Sequence, residues 1–92
     1  MRIRIRFRGP LASRLSTETI ELEVDNNSNL HQVLEKLLLA IPDIKETWDS
    51  PEQIDRDTLL LKNETDVGLL QGLHTLLQKD DEIVILPLVH GG

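Results

Sequence analysis

Residues 2–7, RIRIRF, alternate without a break, with Ile3, Ile5 and Phe7 on one side and Arg2, Arg4 and Arg6 on the other. A two-residue period over six positions is the mark of a strand with one buried face and one solvated face. It rules out an amphipathic helix here, because a helix repeats its apolar side every 3–4 residues. The stretch 17–24, TETIELEV, alternates in the same way, with Ile20, Leu22 and Val24 opposed to Thr19, Glu21 and Glu23. Gly9 and Pro10 interrupt the run between them, so residues 8–15 are expected to form a loop joining an antiparallel pair.

The next segment changes period. Leu30, Val33, Leu34, Leu37, Leu38 and Ile41 fall on one helical stripe, with a capping residue available at Asn27, Ser28 or Asn29 and a stop at Pro42. Residues 42–57 are polar and broken by proline, and are expected to be an irregular excursion with at most one helical turn, anchored by Trp48 and Ile54. TLLLKN (58–63) reads as a short strand and NETD as a turn. The spacing in 67–81 predicts a short strand and then one helical turn, and EIVILPLV (82–89) reads as the last strand.

One main helix laid across a mixed sheet gives an α+β roll of the β-grasp type, with a parallel pairing of the first and last strands closed by the helical crossover. At 92 residues the chain has room for one core. We read residues 1–87 as that domain and 88–92 as a flexible tail ending in Gly91-Gly92. Glycine has no side chain to pack and loses the most freedom on ordering, so this pair suits a thin, pliable end better than a structural one.

The chemistry-bearing residues are sparse. There is no cysteine, which removes disulfides, thiol nucleophiles and thiolate metal sites. His31 and Glu35 share a helix face, but His74 and His90 are far from them in sequence, and a metal site needs three or four convergent ligands. Ser13 and Ser16 lie in no nucleophile elbow, and no glycine-rich phosphate loop occurs. The chain is therefore expected not to be an enzyme and to bind no cofactor or metal of its own. Residues 1–14 carry five arginines and no acid, while the remainder holds five basic and sixteen acidic side chains, so the net charge of −6 is the sum of +5 and −11. The basic strand could follow phosphates, yet its one aromatic, Phe7, lies on the apolar side, so bases would find nothing to stack on. Nucleic acid and membrane are not expected as partners, and a cytoplasmic location is.

The segment TLLLKNETDVGLLQGLHTLLQKDDEIVILPLVHGG, together with MRIRIRFRGPLASRL, resembles the β-grasp sulfur carriers and ubiquitin-like modifiers: the ubiquitin-related modifier, the archaeal small modifier proteins and the small subunit of molybdopterin synthase. The shared features are a strand ending in Asn63, the Leu-rich run with Thr75 and Leu77, the acidic Asp80-Asp81-Glu82 turn, the strand IVILP and the terminal Gly-Gly. The resemblance implies that an E1-like enzyme, using ATP and magnesium, adenylates Gly92. The activated carboxyl is then converted to a thiocarboxylate or joined to a lysine by an isopeptide bond, with no processing protease required. It also implies that His90 and Gly91 thread into the partner, and that the synthase subunit, delivering sulfur to the large subunit of molybdopterin synthase, is an alternative role. A non-covalent interaction module is the second alternative. If Ile83 and Ile85 pack under the helix, Val84 and Leu86 face outward beside Arg2, Arg4 and Arg6, and these five form the expected partner interface. On its own surface, Lys36, Lys45, Lys62 and Lys79 are the side-chain acceptors available for conjugation.

Overall fold

In the computed structural model, which describes residues 1–88, five strands form one mixed sheet in the order β2-β1-β5-β3-β4. Strand β1 (Arg2–Phe7) pairs antiparallel with β2 (Thr19–Glu23) and parallel with β5 (Glu82–Pro87), the central strand. Strand β3 (Thr58–Lys62) pairs antiparallel with β5 on its other side and with the two-residue β4 (Thr65–Asp66) at the edge. This is the expected β-grasp roll, with the first and last strands parallel neighbours.

Helix α2 (Leu30–Ala40) crosses one face of the sheet. Its start is set by Asn29, whose side chain accepts from the Gln32 N–H at 2.9 Å while Gln32 Oε1 accepts from the Asn29 N–H at 2.8 Å. That reciprocal pair satisfies two N–H groups that the first turn would otherwise leave open. The stripe Leu30, Val33, Leu34, Leu37 and Leu38 packs into a core with Ile3, Ile5, Phe7, Leu60, Ile83 and Ile85. Central placement of β5 explains its β-branched content: two paired edges and a covered face leave no room for polar side chains on the inner side.

Three expectations need correction. Residues 8–15 are not a plain loop, for helix α1 (Pro10–Leu15) occupies most of them. Pro10 stands in its first turn, where a missing N–H costs nothing, and Gly9 at φ 68° makes the bend into it. Residues 42–57 are more ordered than an irregular excursion. A 3-10 turn spans Pro42–Glu46 and helix α3 spans Pro51–Asp57, capped by Ser50, whose side chain accepts from the Gln53 N–H. Ile44, Trp48 and Ile54 are buried from this segment. In 67–81 the order is reversed from the expectation: 3-10 turns at Val67–Leu69 and Gly72–His74 come first, and the extended part follows. There, backbone bonds from Leu30 N–H to the Thr75 carbonyl and from Leu77 N–H to the Ser28 carbonyl tie the segment to the start of α2.

The turn into β5 is held by a buried carboxylate. Asp81, 8% exposed, accepts from Asn63 Nδ2 at 2.8 Å and from the Gln78 N–H at 2.7 Å, with Lys62 Nζ at 3.7 Å. Asn63 in turn accepts from the Glu82 N–H at 2.9 Å. Replacing Asp81 with alanine strands two donors and an ammonium together, so a loss of about 1–3 kcal/mol is expected. Urea unfolding of Asp81→Ala, read as a lower midpoint at unchanged slope, measures it; a midpoint equal to that of the parent chain would show the network to be dispensable.

Asn63 and Glu64 form the two-residue turn between β3 and β4, both at positive φ (46° and 74°). Such a turn, with both central residues left-handed, matches the twist of the flanking strands and prefers Asn followed by Gly. The glutamate at the second place carries a steric cost of about 1–2 kcal/mol that a glycine would not.

Candidate functional site

The outward face of the sheet is ordered by strand register. Paired residues point to the same side, so three rows can be followed across β1, β5 and β3. Arg4 lies beside Glu82; Arg6 lies beside Val84, which faces Leu61; and Leu86 faces Leu59, with the Arg8 N–H donating to the Ile85 carbonyl just past the end of β1. Leu59, Leu61, Val84 and Leu86 thus make a continuous apolar strip. A depression of about 300 Å³ between Arg6, Arg8, Leu61, Glu64, Glu82, Val84 and Leu86 lies over it.

Of the five residues expected here, the structure brings Arg6, Val84 and Leu86 together and sets Arg2 and Arg4 apart. Arg2 lies within 3.5 Å of both Glu21 and Glu23, and Arg4 within 3.6 Å of Glu21, toward the β2 edge. The outward carboxylates of β2 therefore balance much of the basic charge that the first strand carries in sequence. Arg6 is 3.6 Å from Glu82. Val84 has the expected outward parity but is buried at 6% exposure, and Leu86, at 37%, is the more accessible of the pair. Neighbouring side chains on both flanking strands cover Val84, which lies in the middle of the sheet.

Two sets of residues were missed in sequence. Leu59 and Leu61 join the strip because β3 pairs directly with β5, and their alternation in TLLLK is masked by Leu60, which points into the core. Arg8 was counted in the basic segment without a place in the face. Its guanidinium has no carboxylate within ion-pairing distance among the described residues.

The strip leads to the exit of β5. Leu88 donates its backbone N–H to the Asp57 carbonyl at 3.1 Å, fastening the chain to the end of α3. Trp48, 4% exposed, donates from Nε1 to Asp57 Oδ2 at 3.1 Å, and Arg14 hydrogen-bonds Thr47 across from α1. Pro10, Leu11, Arg14, Thr47, Trp48 and Pro87 line a small apolar hollow at this point. The expected site residues His90, Gly91 and Gly92 lie outside the described residues.

Elsewhere, His31 stands between two carboxylates, with Nδ1 3.1 Å from Glu35 Oε1 and Nε2 2.8 Å from Glu52 Oε2. Glu52 is held below the usual carboxylate range, first by its own backbone N–H at the start of α3 and then by the His31 hydrogen bond. The contact links α2 to α3 at the surface. Among the described residues, no group of three or more His, Asp or Glu side chains is placed to hold a metal ion. Nor is any described helix long and apolar enough to cross a membrane.

A family model described as the ThiS family matches residues 5–92, nearly the whole chain and through Gly92. The chain belongs to the ThiS family. This ThiS-family chain matches no curated protein. It is similar in fold to solved structures of β-grasp sulfur-carrier and ubiquitin-like proteins. The crystal structure of SAMP1 from Haloferax volcanii superposes with a TM-score of 0.82 at 19% identity, covering 100% of both chains. The solution structure of small archaeal modifier protein 1 from Methanosarcina acetivorans gives 0.76 at 26% identity over 99% of this chain and 96% of that one. A chain of the complex of subunits 1 and 2 of the molybdopterin-converting factor from Helicobacter pylori gives 0.64 at 24% identity over 100% of both. The ThiS-family chain shares the fold of these structures across its described residues.

Proposed function

We propose that this protein is a sulfur carrier and ubiquitin-like modifier that acts through the carboxylate of Gly92. The observation that carries the reading is the family match running through Gly91-Gly92, on a domain whose central strand points its end toward that tail. An E1-like enzyme supplies ATP and magnesium. A Gly92 carboxylate oxygen bonds to the α-phosphorus, pyrophosphate departs, and a poor leaving group becomes a mixed anhydride. Attack by sulfide on the carbonyl carbon then expels AMP, loses its proton and leaves a thiocarboxylate; attack by a lysine amine expels AMP and leaves an isopeptide. In this reading His90 and Gly91 thread a channel no wider than a backbone, beyond the point where Leu88 is fastened to Asp57. The body supplies the docking face.

That face is best drawn around Leu59, Leu61 and Leu86, with Arg6 and Arg8 at its rim. Apolar centres with polar rims are the usual anatomy of a specific interface. Arg2 and Arg4, already beside Glu21 and Glu23, contribute less. Leu86→Asp places a charge in the centre of the strip on an exposed position, so the fold should survive while docking suffers. A rise in KM for adenylation of about 30-fold or more, at unchanged melting temperature, is expected. Pyrophosphate exchange with the activating enzyme measures it, and an unchanged KM would move the docking face elsewhere.

Self-conjugation, where it occurs, would use Lys36, Lys45 or Lys79, which are exposed; Lys62 is held by the Leu76 carbonyl at 3.2 Å and by Asp81. The likeness to a chain of the Helicobacter pylori converting-factor complex supports a second reading, in which the tail delivers sulfur to a large synthase subunit. The deciding experiment is the intact mass of the protein after incubation with an E1-like enzyme, ATP, magnesium and a sulfide source. A gain equal to the difference between sulfur and oxygen, absent in a Gly92-deleted control, supports the carrier chemistry. No gain with several competent activating enzymes favours a non-covalent module.

A further inference from the structure

Residue 64 is where the backbone asks for one amino acid and the chain supplies another. Five non-glycine residues among those described have positive φ: Ser16, Asn27, Asn63, Glu64 and Asp80. Four carry short polar side chains, and Asn and Asp tolerate this conformation through local hydrogen bonds. Glu64 is the exception, at the turn position that most favours glycine. Its carboxylate makes no hydrogen bond or ion pair among the described residues, so no bond within the fold offsets its cost. What it does occupy is the rim of the docking depression, alongside Leu61, Val84 and Leu86 and in the same hollow as Arg6 and Arg8. Strained residues that give no internal return tend to be found where a binding partner makes use of them.

We infer that Glu64 is a specificity-determining residue of the docking face, meeting a lysine or arginine of the activating enzyme. This rests on the reading given under Proposed function and sharpens it. Arg6 is already beside Glu82, while Arg8 and Glu64 are the two rim charges of opposite sign with no ion-pair partner among the described residues. A matching surface therefore carries a cation opposite Glu64 and a carboxylate opposite Arg8, around an apolar centre for Leu86. An opposed pair fixes the orientation of docking, which one sign of charge spread along the rim would not.

Three variants separate charge from backbone: Glu64→Gly, Glu64→Gln and Glu64→Lys, each measured for melting temperature and for KM and kcat in adenylation of the full chain. Glu64→Gly should melt a few degrees higher, because the left-handed position is relieved, and yet show a KM raised about tenfold at unchanged kcat. Glu64→Gln should keep the melting temperature and raise KM, and Glu64→Lys should raise it further, with the difference from the parent chain shrinking as salt is added. Unchanged KM in the Gln and Lys variants would overturn the inference while leaving Gly92 chemistry in place. So would a fall in melting temperature in Glu64→Gln, which would make the carboxylate a structural partner of Arg8. Failure of the parent chain to be adenylated at all overturns the carrier reading and this inference with it.

Discussion

Removing Gly91-Gly92 is expected to abolish the sulfur-dependent mass gain completely and to leave the melting temperature where it was. The loss is total because the proposed chemistry is on the carboxyl group of Gly92 alone. Stability is spared because the described core, every strand pairing and the Leu88 bond to the Asp57 carbonyl all precede the deletion. Intact mass spectrometry after the activation reaction and a thermal melt by circular dichroism together test both halves. A truncated chain that still gains mass would place the sulfur elsewhere, and one that melts well below the parent would make the glycines part of the fold. Either result would undo the division into a domain and a tail.

The largest effect on stability is expected from Phe7→Ala. Phe7 is 2% exposed, ends β1, and pairs with Ile85 in the parallel seam between the first and last strands. It is the chain's only phenylalanine, in a core otherwise built of aliphatic side chains and one tryptophan. Truncation removes a fully buried ring, so the loss combines transfer and cavity terms and should be about 3–5 kcal/mol. A domain of this size has roughly 5–15 kcal/mol in all. The melting temperature should therefore fall by about 15–30 °C, with the slope in urea unchanged. A loss under about 1 kcal/mol would mean that the seam repacks around the gap, contrary to the dense interior expected of folded proteins.

Much of the fold was readable because a few segments repeat cleanly. The alternation in 2–7 and 17–24 assigned two strands and their inner faces, and the leucine stripe from Leu30 to Leu38 assigned the helix. The misreadings share a cause. Pro10 and Pro51 were taken as interruptions, whereas each stands in the first turn of a helical segment, where proline is tolerated, and Pro42, which does end α2 as read, also opens a 3-10 turn. Those segments are only five to seven residues long, too short for a period to emerge. In 67–81 the leucines misled for the opposite reason: Leu69, Leu70 and Leu76 are exposed, so their spacing reports no buried face. The docking face was half legible. Parity gave Val84 and Leu86 their direction, but which side chains cover them depends on register with β3, a long-range property that no local pattern carries. The pairing of Arg2 and Arg4 with Glu21 and Glu23 was hidden likewise, since it depends on the register of β1 against β2.

The hydrogen bond between Trp48 and Asp57 has an optical consequence. The chain has one tryptophan and no tyrosine, so its long-wavelength ultraviolet fluorescence comes from a single indole. That indole is sealed from water, shares Asp57 with the backbone anchor of Leu88, and borders the same hollow as Pro87. An event that pulled on the root of the tail would disturb the indole's surroundings, and a change in its emission would report it. Trp48 is thus an unlabelled optical probe beside the root of the tail, readable in a stopped-flow instrument against an activating enzyme free of tryptophan.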